Sequence, residues 1–307
     1  MASRLWRIAQ WVIGAAIVAA AALQLATNWD ALRSQPLDWQ VRPAFLVASA
    51  LLVWTMYAIL IAAWRLVLQG WGERLDAVTA ARIWTVSSLG KYLPGKVWAI
   101  AGMALMAQRA GVAGWAATGS AVILQALAVA AGGAVVAVTG TAALEAQWPG
   151  FRIGLALLLA GSVAGLFLMT WPPFVRRLLR MVRIEPRSAT PGTGAVLAAA
   201  AANLIAWAGY GAAFWLLAAG LLPHSGLTLD VAVGAFTASY LAGLLFLPAP
   251  GGVGIRESVM VLMLQAPLGE GGALALAIAS RVLLTLTEFG AAAPFLLFLR
   301  ERTSVAS

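Results

Sequence analysis

The sequence predicts an all-α polytopic membrane protein: six full transmembrane helices plus two opposed re-entrant broken-helix hairpins, arranged as an inverted repeat. Three observations predict it. The chain of 307 residues is 62% hydrophobic and only 10% charged, with a mean hydropathy of +0.90, outside the range of a water-soluble domain. Apolar runs recur at the length of about 20 residues that a helix needs to cross roughly 30 Å of hydrocarbon. Two further apolar stretches are interrupted in the middle by proline and glycine.

The uninterrupted runs fall at about 8–26, 43–63, 115–141, 151–172, 195–221 and 271–298. The first follows Arg4 and Arg7 like a leader peptide, but with further spans behind it we read it as a retained helix. Trp6, Trp29, Trp39, Trp64, Trp115, Trp148 and Trp171 lie near the run edges, as an interfacial aromatic belt requires. Gly161 and Gly165 form a GxxxG pair, the spacing that lets two helices pack closely.

The interrupted stretches are 78–108, broken at Leu93-Pro94-Gly95, and 230–266, broken at Leu247-Pro248-Ala249-Pro250-Gly251-Gly252. Proline removes a backbone donor and restricts the residue before it, while glycine permits a tight reversal, as Gly254 also would. Each stretch has room for two short helices. With a cytoplasmic amino terminus and both stretches returning to the side they entered, the arginines divide unevenly. Arg4, Arg7, Arg65, Arg74, Arg109, Arg176, Arg177, Arg180, Arg183, Arg187, Arg300 and Arg302 lie inside, and only Arg33, Arg42 and Arg152 outside. A full crossing by the first stretch would turn the five-arginine loop outward, against the positive-inside bias. Both termini are therefore expected in the cytoplasm.

In this threading the hairpins enter from opposite faces, as in an inverted-topology repeat. YLPGKV (92–97) and FLPAPGGVGI (246–255) share an aromatic-Leu-Pro start. The chain reads as a single domain, 1–307, with one half over about 1–172, a polar cytoplasmic linker at 173–194 and a second half over about 195–300.

The net charge of +9 does not read as nucleic-acid binding, because most basic residues sit in short loops between apolar runs. There is no cysteine, so thiol chemistry is excluded. The one histidine, His224, lies in a Pro-His-Ser-Gly loop with no metal-ligand spacing around it. No cofactor is expected.

After each break a helix restarts, near Lys96 and near Gly254. A helix start offers free N–H groups and a positive dipole end, which suit an anion. Lys91 and Lys96 add charge at one tip and Arg256 at the other, together a candidate phosphate site. The alternative is that the lysines snorkel to the headgroups and that Glu257 pairs with Arg256 or favours the helix start. Arg281 and Glu288 lie near mid-membrane. Seven residues apart, they share a face but stand about 10 Å apart in height, so each needs another partner. Charge at that depth points to function; the alternative is an ion pair such as Arg281 with Glu257. Ser87, Ser88, Asn203, Tyr240, Ser258 and Ser280 suit a wet cavity.

GKYLPGKVW at 90–98, followed by LPAPGGVGIRES at 247–258, resembles the pair of signatures of the lysylphosphatidylglycerol synthase transmembrane-region family, the flippase-like domain of the multiple peptide resistance factor. The resemblance covers essentially the whole chain. It implies a bacterial inner-membrane domain that moves a lipid, classically an aminoacylated phosphatidylglycerol, between leaflets. It points to Lys91, Pro94, Gly95 and Lys96, and to Pro250, Gly251, Gly252, Gly254, Arg256 and Glu257. A stand-alone member without the soluble synthase domain is implied. Such members are similar to proteins linked with polyprenyl-phosphate sugars or hopanoids, which leaves the cargo open.

The expected function is non-enzymatic translocation of a lipid with an anionic phosphate headgroup, with a homo-oligomer or a separate lipid-synthesising enzyme as protein partner. The alternatives are a membrane-embedded transferase acting on a lipid phosphate and a small-solute transporter built on an inverted repeat. Consumption of a lipid without transport would favour the first, and lipid-independent flux of an ion the second.

Overall fold

Inside hydrocarbon a backbone amide finds no water, so each apolar run must close its hydrogen bonds within itself. The computed structural model describes residues 39–92, 97–141, 144–145, 150–184, 191–246 and 250–297. The expected first span (8–26), Trp6, Trp29, Trp148, and the tip residues Pro94, Gly95, Lys96 and Pro248 lie outside the described residues.

In chain order the helices are α1 (Pro43–Gln69), α2 (Ala77–Ser88), a 3-10 turn (Leu89–Tyr92), α3 (Val97–Arg109), α4 (Gly114–Thr139), α5 (Arg152–Met169), α6 (Pro172–Met181), α7 (Thr193–Leu221), α8 (Leu229–Leu245), a second 3-10 turn (Pro250–Gly252) and α9 (Ile255–Leu297). Helices α1, α4, α5, α7 and α9 are long and apolar enough to cross a membrane. The protein is an all-α polytopic membrane protein, and these five match the second to sixth expected spans.

Helix α9 is two arms. Gly269 sits at φ 68°, ψ 166°, a conformation open only to glycine, two residues after Pro267. Residues 255–268 thus belong to the interrupted stretch, and 270–297 form the last span. Helices α2 and α3 have 12 and 13 residues. At 1.5 Å per residue they rise about 18 and 20 Å, short of the bilayer core. Helix α2 starts on Asp76, whose carboxylate accepts from the Thr79 N–H at 2.9 Å.

One order of elements occurs twice: long helix, short helix, 3-10 turn, helix, long helix. The first set is α1 to α4; the second is α7, α8 and the two arms of α9. Their leading helices, α1 and α7, run antiparallel. Just before α1, the Gln40 and Arg42 N–H groups donate to the Leu221 and Gly220 carbonyls at the end of α7, at 3.1 and 3.0 Å. At the other end of the pair, a Cβ on Gly70 would stand 3.1–3.2 Å from Pro191 and Gly192. The contact is intimate: the Met56 thioether fills the space a Gly209 Cβ would need, and Ser49 Oγ donates to the Ala213 carbonyl at 2.6 Å. In lipid such packing, rather than apolar burial, holds helices together.

Two expectations are corrected. Trp64 is no belt residue: it is fully buried, because α1 continues to Gln69 and sets it a turn inside, where its indole N–H donates to Ser120 Oγ at 2.9 Å. Trp39 and Trp171, by contrast, are exposed. Gly161 and Gly165 do not form a packing pair: only Gly165 faces α4, where a Cβ would meet Ala130 at 3.5 Å. Helix α5 is buried only at Leu155, Ser162 and Met169, one stripe seven residues apart, and a Cβ on Gly161 would meet nothing within 4 Å. Gly133 of α4 supplies the close approach instead, against Ser162. The polar segment at 173–194 contains most of helix α6, which buries Val175 and Leu179 and exposes Arg176, Arg177 and Arg180, the form of a helix lying at a membrane surface.

Candidate functional site

The two 3-10 turns bring the interrupted stretches together inside the fold. Tyr92, at the end of the first turn, packs against Gly251 of the second, where a Cβ would stand 3.3 Å from the Tyr92 ring. Gly251 and Gly252 take φ 58° and 70°, so the chain reverses here at little cost. Gly243 of α8 sits so close to the second turn that a Cβ on it would collide with the Arg256 stem. Its bare backbone leaves room for that side chain to lie along α8.

Beside the turns lies a cavity of about 300 Å³. Lys91, Arg256, Arg281 and Glu288 line it, as do Tyr57, Tyr92, Tyr210 and Tyr240, which are all four tyrosines of the chain. Trp207 and Phe236 continue the aromatic wall: Trp207 and Phe236 lie 5.5 and 6.0 Å, centroid to centroid, from Tyr240. Residues from both element sets contribute, so the cavity is an inter-half space.

Its charges fall into three arrangements. Glu257 is buried and pairs with Arg281, while its second oxygen accepts from the Gly254 N–H at 2.7 Å. Arg281 also donates to the Gly251 carbonyl at 3.1 Å. This set ties the second turn to the middle of the last span. Glu288 pairs with Lys91 and accepts from the Tyr92 hydroxyl at 2.7 Å, joining the two sets of elements. Arg256 makes no ion pair among the described residues. Its guanidinium lies 4.4 Å from the centre of the Tyr240 ring, with Lys91 Nζ 5.8 Å from the same centre. The ring therefore holds two cations near each other through its negative face.

The structure thus gathers Lys91, Arg256, Arg281 and Glu288 around one space, with Glu257 behind Arg281. Glu257 partners Arg281 and not the adjacent Arg256. Ser87, Ser88, Asn203 and Tyr240 line the cavity; Ser258 and Ser280 do not. Tyr57, Tyr92 and Tyr210 were missed in the sequence, although tyrosines in the middle of apolar runs, away from the interfaces that favour them, were a visible signal. The Tyr57 hydroxyl is buried with no hydrogen-bond partner among the described residues. Such a group needs water or a ligand.

The arrangement can attract an anion. Among the described residues three cations stand against two carboxylates, leaving one positive charge where the low dielectric strengthens any attraction. Arginine is suited to phosphate oxygens through its planar fork of donors.

The sequence model of the family described as lysylphosphatidylglycerol synthase TM region matches residues 7–289. No curated protein matches the chain at a significant level.

Proposed function

We propose a function from two facts: the chain belongs to the lysylphosphatidylglycerol synthase TM region family, and a charged, tyrosine-lined cavity lies where its interrupted stretches meet. The protein is a lipid translocase of the bacterial inner membrane. It holds the phosphate headgroup of a phospholipid or polyprenyl-phosphate-linked lipid in the cavity while the hydrocarbon stays in the bilayer, and it makes and breaks no covalent bond.

The observation that carries this reading is Arg256, a cation facing the cavity with no carboxylate partner among the described residues. A phosphodiester supplies the missing negative charge. Lys91 is the second contact, turning from Glu288 to the phosphate as the lipid enters. Glu288, released from Lys91, is free to receive a cationic headgroup. Arg281 and Glu257 act differently, as the brace that keeps the second turn in shape.

Both termini face the cytoplasm by the arginine bias. The interrupted stretches enter as hairpins from opposite faces, a threading supported by the short α2 and α3 and by the antiparallel α1 and α7. Native mass spectrometry of the purified chain tests the site. Wild type retains a phosphate-bearing lipid and Arg256→Gln loses it at unchanged thermal midpoint. Equal retention by both, or retention of phosphate-free lipids alone, defeats the reading. Transport is read in proteoliposomes holding a phosphatidylglycerol with a fluorescent headgroup, where Arg256→Gln slows its exposure to an external quencher.

A further inference from the structure

Resting on that reading of the cavity, we propose that the apolar groove between α3, α4, α5 and α8 holds an acyl chain of the bound glycerophospholipid, which reaches it through a neck formed by Ile100 and Gln125. The groove measures about 770 Å³ and its walls include Val129, Ala130, Leu157 and Leu241, so it is ligand-sized and oily. Ile100 and Gln125 line the charged cavity and the groove alike. Polar and apolar compartments therefore share a wall, as the two ends of one amphiphile require.

Gln125 says what passes through the neck. On α4 the side chains of Thr118, Ser120 and Thr139 bond to the helix's own carbonyls. The Gln125 amide, half-buried, makes no hydrogen bond among the described residues. It carries two donors and an acceptor at the junction of a charged space with an oily one. An acyl chain begins at an ester carbonyl, an acceptor suited to that amide. An isoprenoid chain presents no acceptor there. The amide therefore selects an ester-linked chain and fixes how deeply the headgroup enters.

Gly161 gives a clean way to close the groove. It lines the groove, yet a Cβ there meets nothing within 4 Å, so the side chain of Gly161→Trp starts from open space. Leu157→Trp is a second blocking variant at an exposed groove residue. Val163→Trp is the control, exposed on the same helix and outside the groove.

The test uses the full chain in phosphatidylcholine vesicles containing phosphatidylglycerol with a diazirine near the end of one acyl chain. After irradiation, crosslinked peptides are read by mass spectrometry. Wild type and Val163→Trp are expected to label at 126–133 and 157–162; Arg256→Gln, Gly161→Trp and Leu157→Trp lose this labelling several-fold, and Gln125→Leu shows a partial loss. Labelling that is equal in wild type and Arg256→Gln means bulk lipid wets the groove, and overturns the proposal. So does labelling unchanged by both tryptophans, or stronger labelling by a diazirine-bearing polyprenyl phosphate. If wild type retains phosphatidylglycerol in native mass spectra through Arg256 but the groove stays unlabelled, the chain path alone fails. If it retains none, the cavity reading fails with it.

Discussion

Glu257 and Glu288 are both buried carboxylates paired with a cation, yet they join different parts of the molecule. Among the described residues every partner of Glu257 lies in the second set of elements: the Gly254 N–H and Arg281, which in turn holds the Gly251 carbonyl. Both partners of Glu288, Lys91 and Tyr92, come from the first set. A pair closed within one half keeps its shape whatever the other half does. A pair closed between halves must open whenever they part, so in the proposed translocase it belongs to the moving seam. The difference separates a brace from a latch, although the residue types are nearly the same.

The brace carries the largest expected effect. Removing one partner of a buried pair strands the other charge, at about 3–5 kcal/mol. Glu257→Gln should therefore lower the thermal midpoint in detergent steeply, and Arg281→Met likewise. The latch should cost less. Lys91 is 25% exposed, so water takes up part of its charge when Glu288 is lost, and Glu288→Gln should cost about 1–3 kcal/mol. The double variant Lys91→Met/Glu288→Gln should recover most of that loss in a double-mutant cycle while still failing to move lipid. A Glu288→Gln midpoint as low as that of Glu257→Gln would erase the distinction.

The sequence made the charges visible and hid their pairing. Arg281 and Glu288 stand out because hydrocarbon makes an isolated charge costly. Which carboxylate meets which cation depends on how the 3-10 turns place the stretches, and heptad spacing along one helix says nothing of that. The Arg281–Glu257 pair could be written down as an alternative; Lys91–Glu288, joining residues 197 apart, could not. Trp64 was misplaced for a related reason. The belt rule measures distance to the end of an apolar run, but Arg65 donates to the Leu75 carbonyl at 3.0 Å, so the helix runs past a charge that looked like its boundary. The GxxxG rule held for Gly165 and failed for Gly161, because spacing shows which residues are small, not which face a partner helix covers. In 173–194 the five arginines masked the pattern Phe174, Val175, Leu178, Leu179, which is the apolar face of α6.

A smaller effect tests whether Arg256 is held by shape rather than by charge. Gly243→Ala places a methyl where the Arg256 stem lies, and overpacking of this kind costs about 1–2 kcal/mol. The guanidinium should leave Tyr240, and lipid retention in native mass spectra should fall to the Arg256→Gln level. Retention at the wild-type level with Arg256 displaced would mean that Lys91 holds the phosphate, shifting the anion site from the second turn to the latch.

The smallest effect supplies the local reference against which brace and latch are judged. Asp76 caps α2 at an exposed position, so Asp76→Ala should cost about 0.5–1 kcal/mol, with no change in lipid retention. The Thr79 side chain and N–H hold its carboxyl below the ordinary value. A carboxylate with a depressed folded pKa contributes stability above its unfolded pKa of about 4 and loses it as pH falls through the folded value. Thermal midpoints of wild type and Asp76→Ala should thus differ at neutral pH and converge in acid below that range. A gap that persists in acid would show that the cap works through neutral hydrogen bonding, leaving charge pairing at the cavity to the brace and the latch.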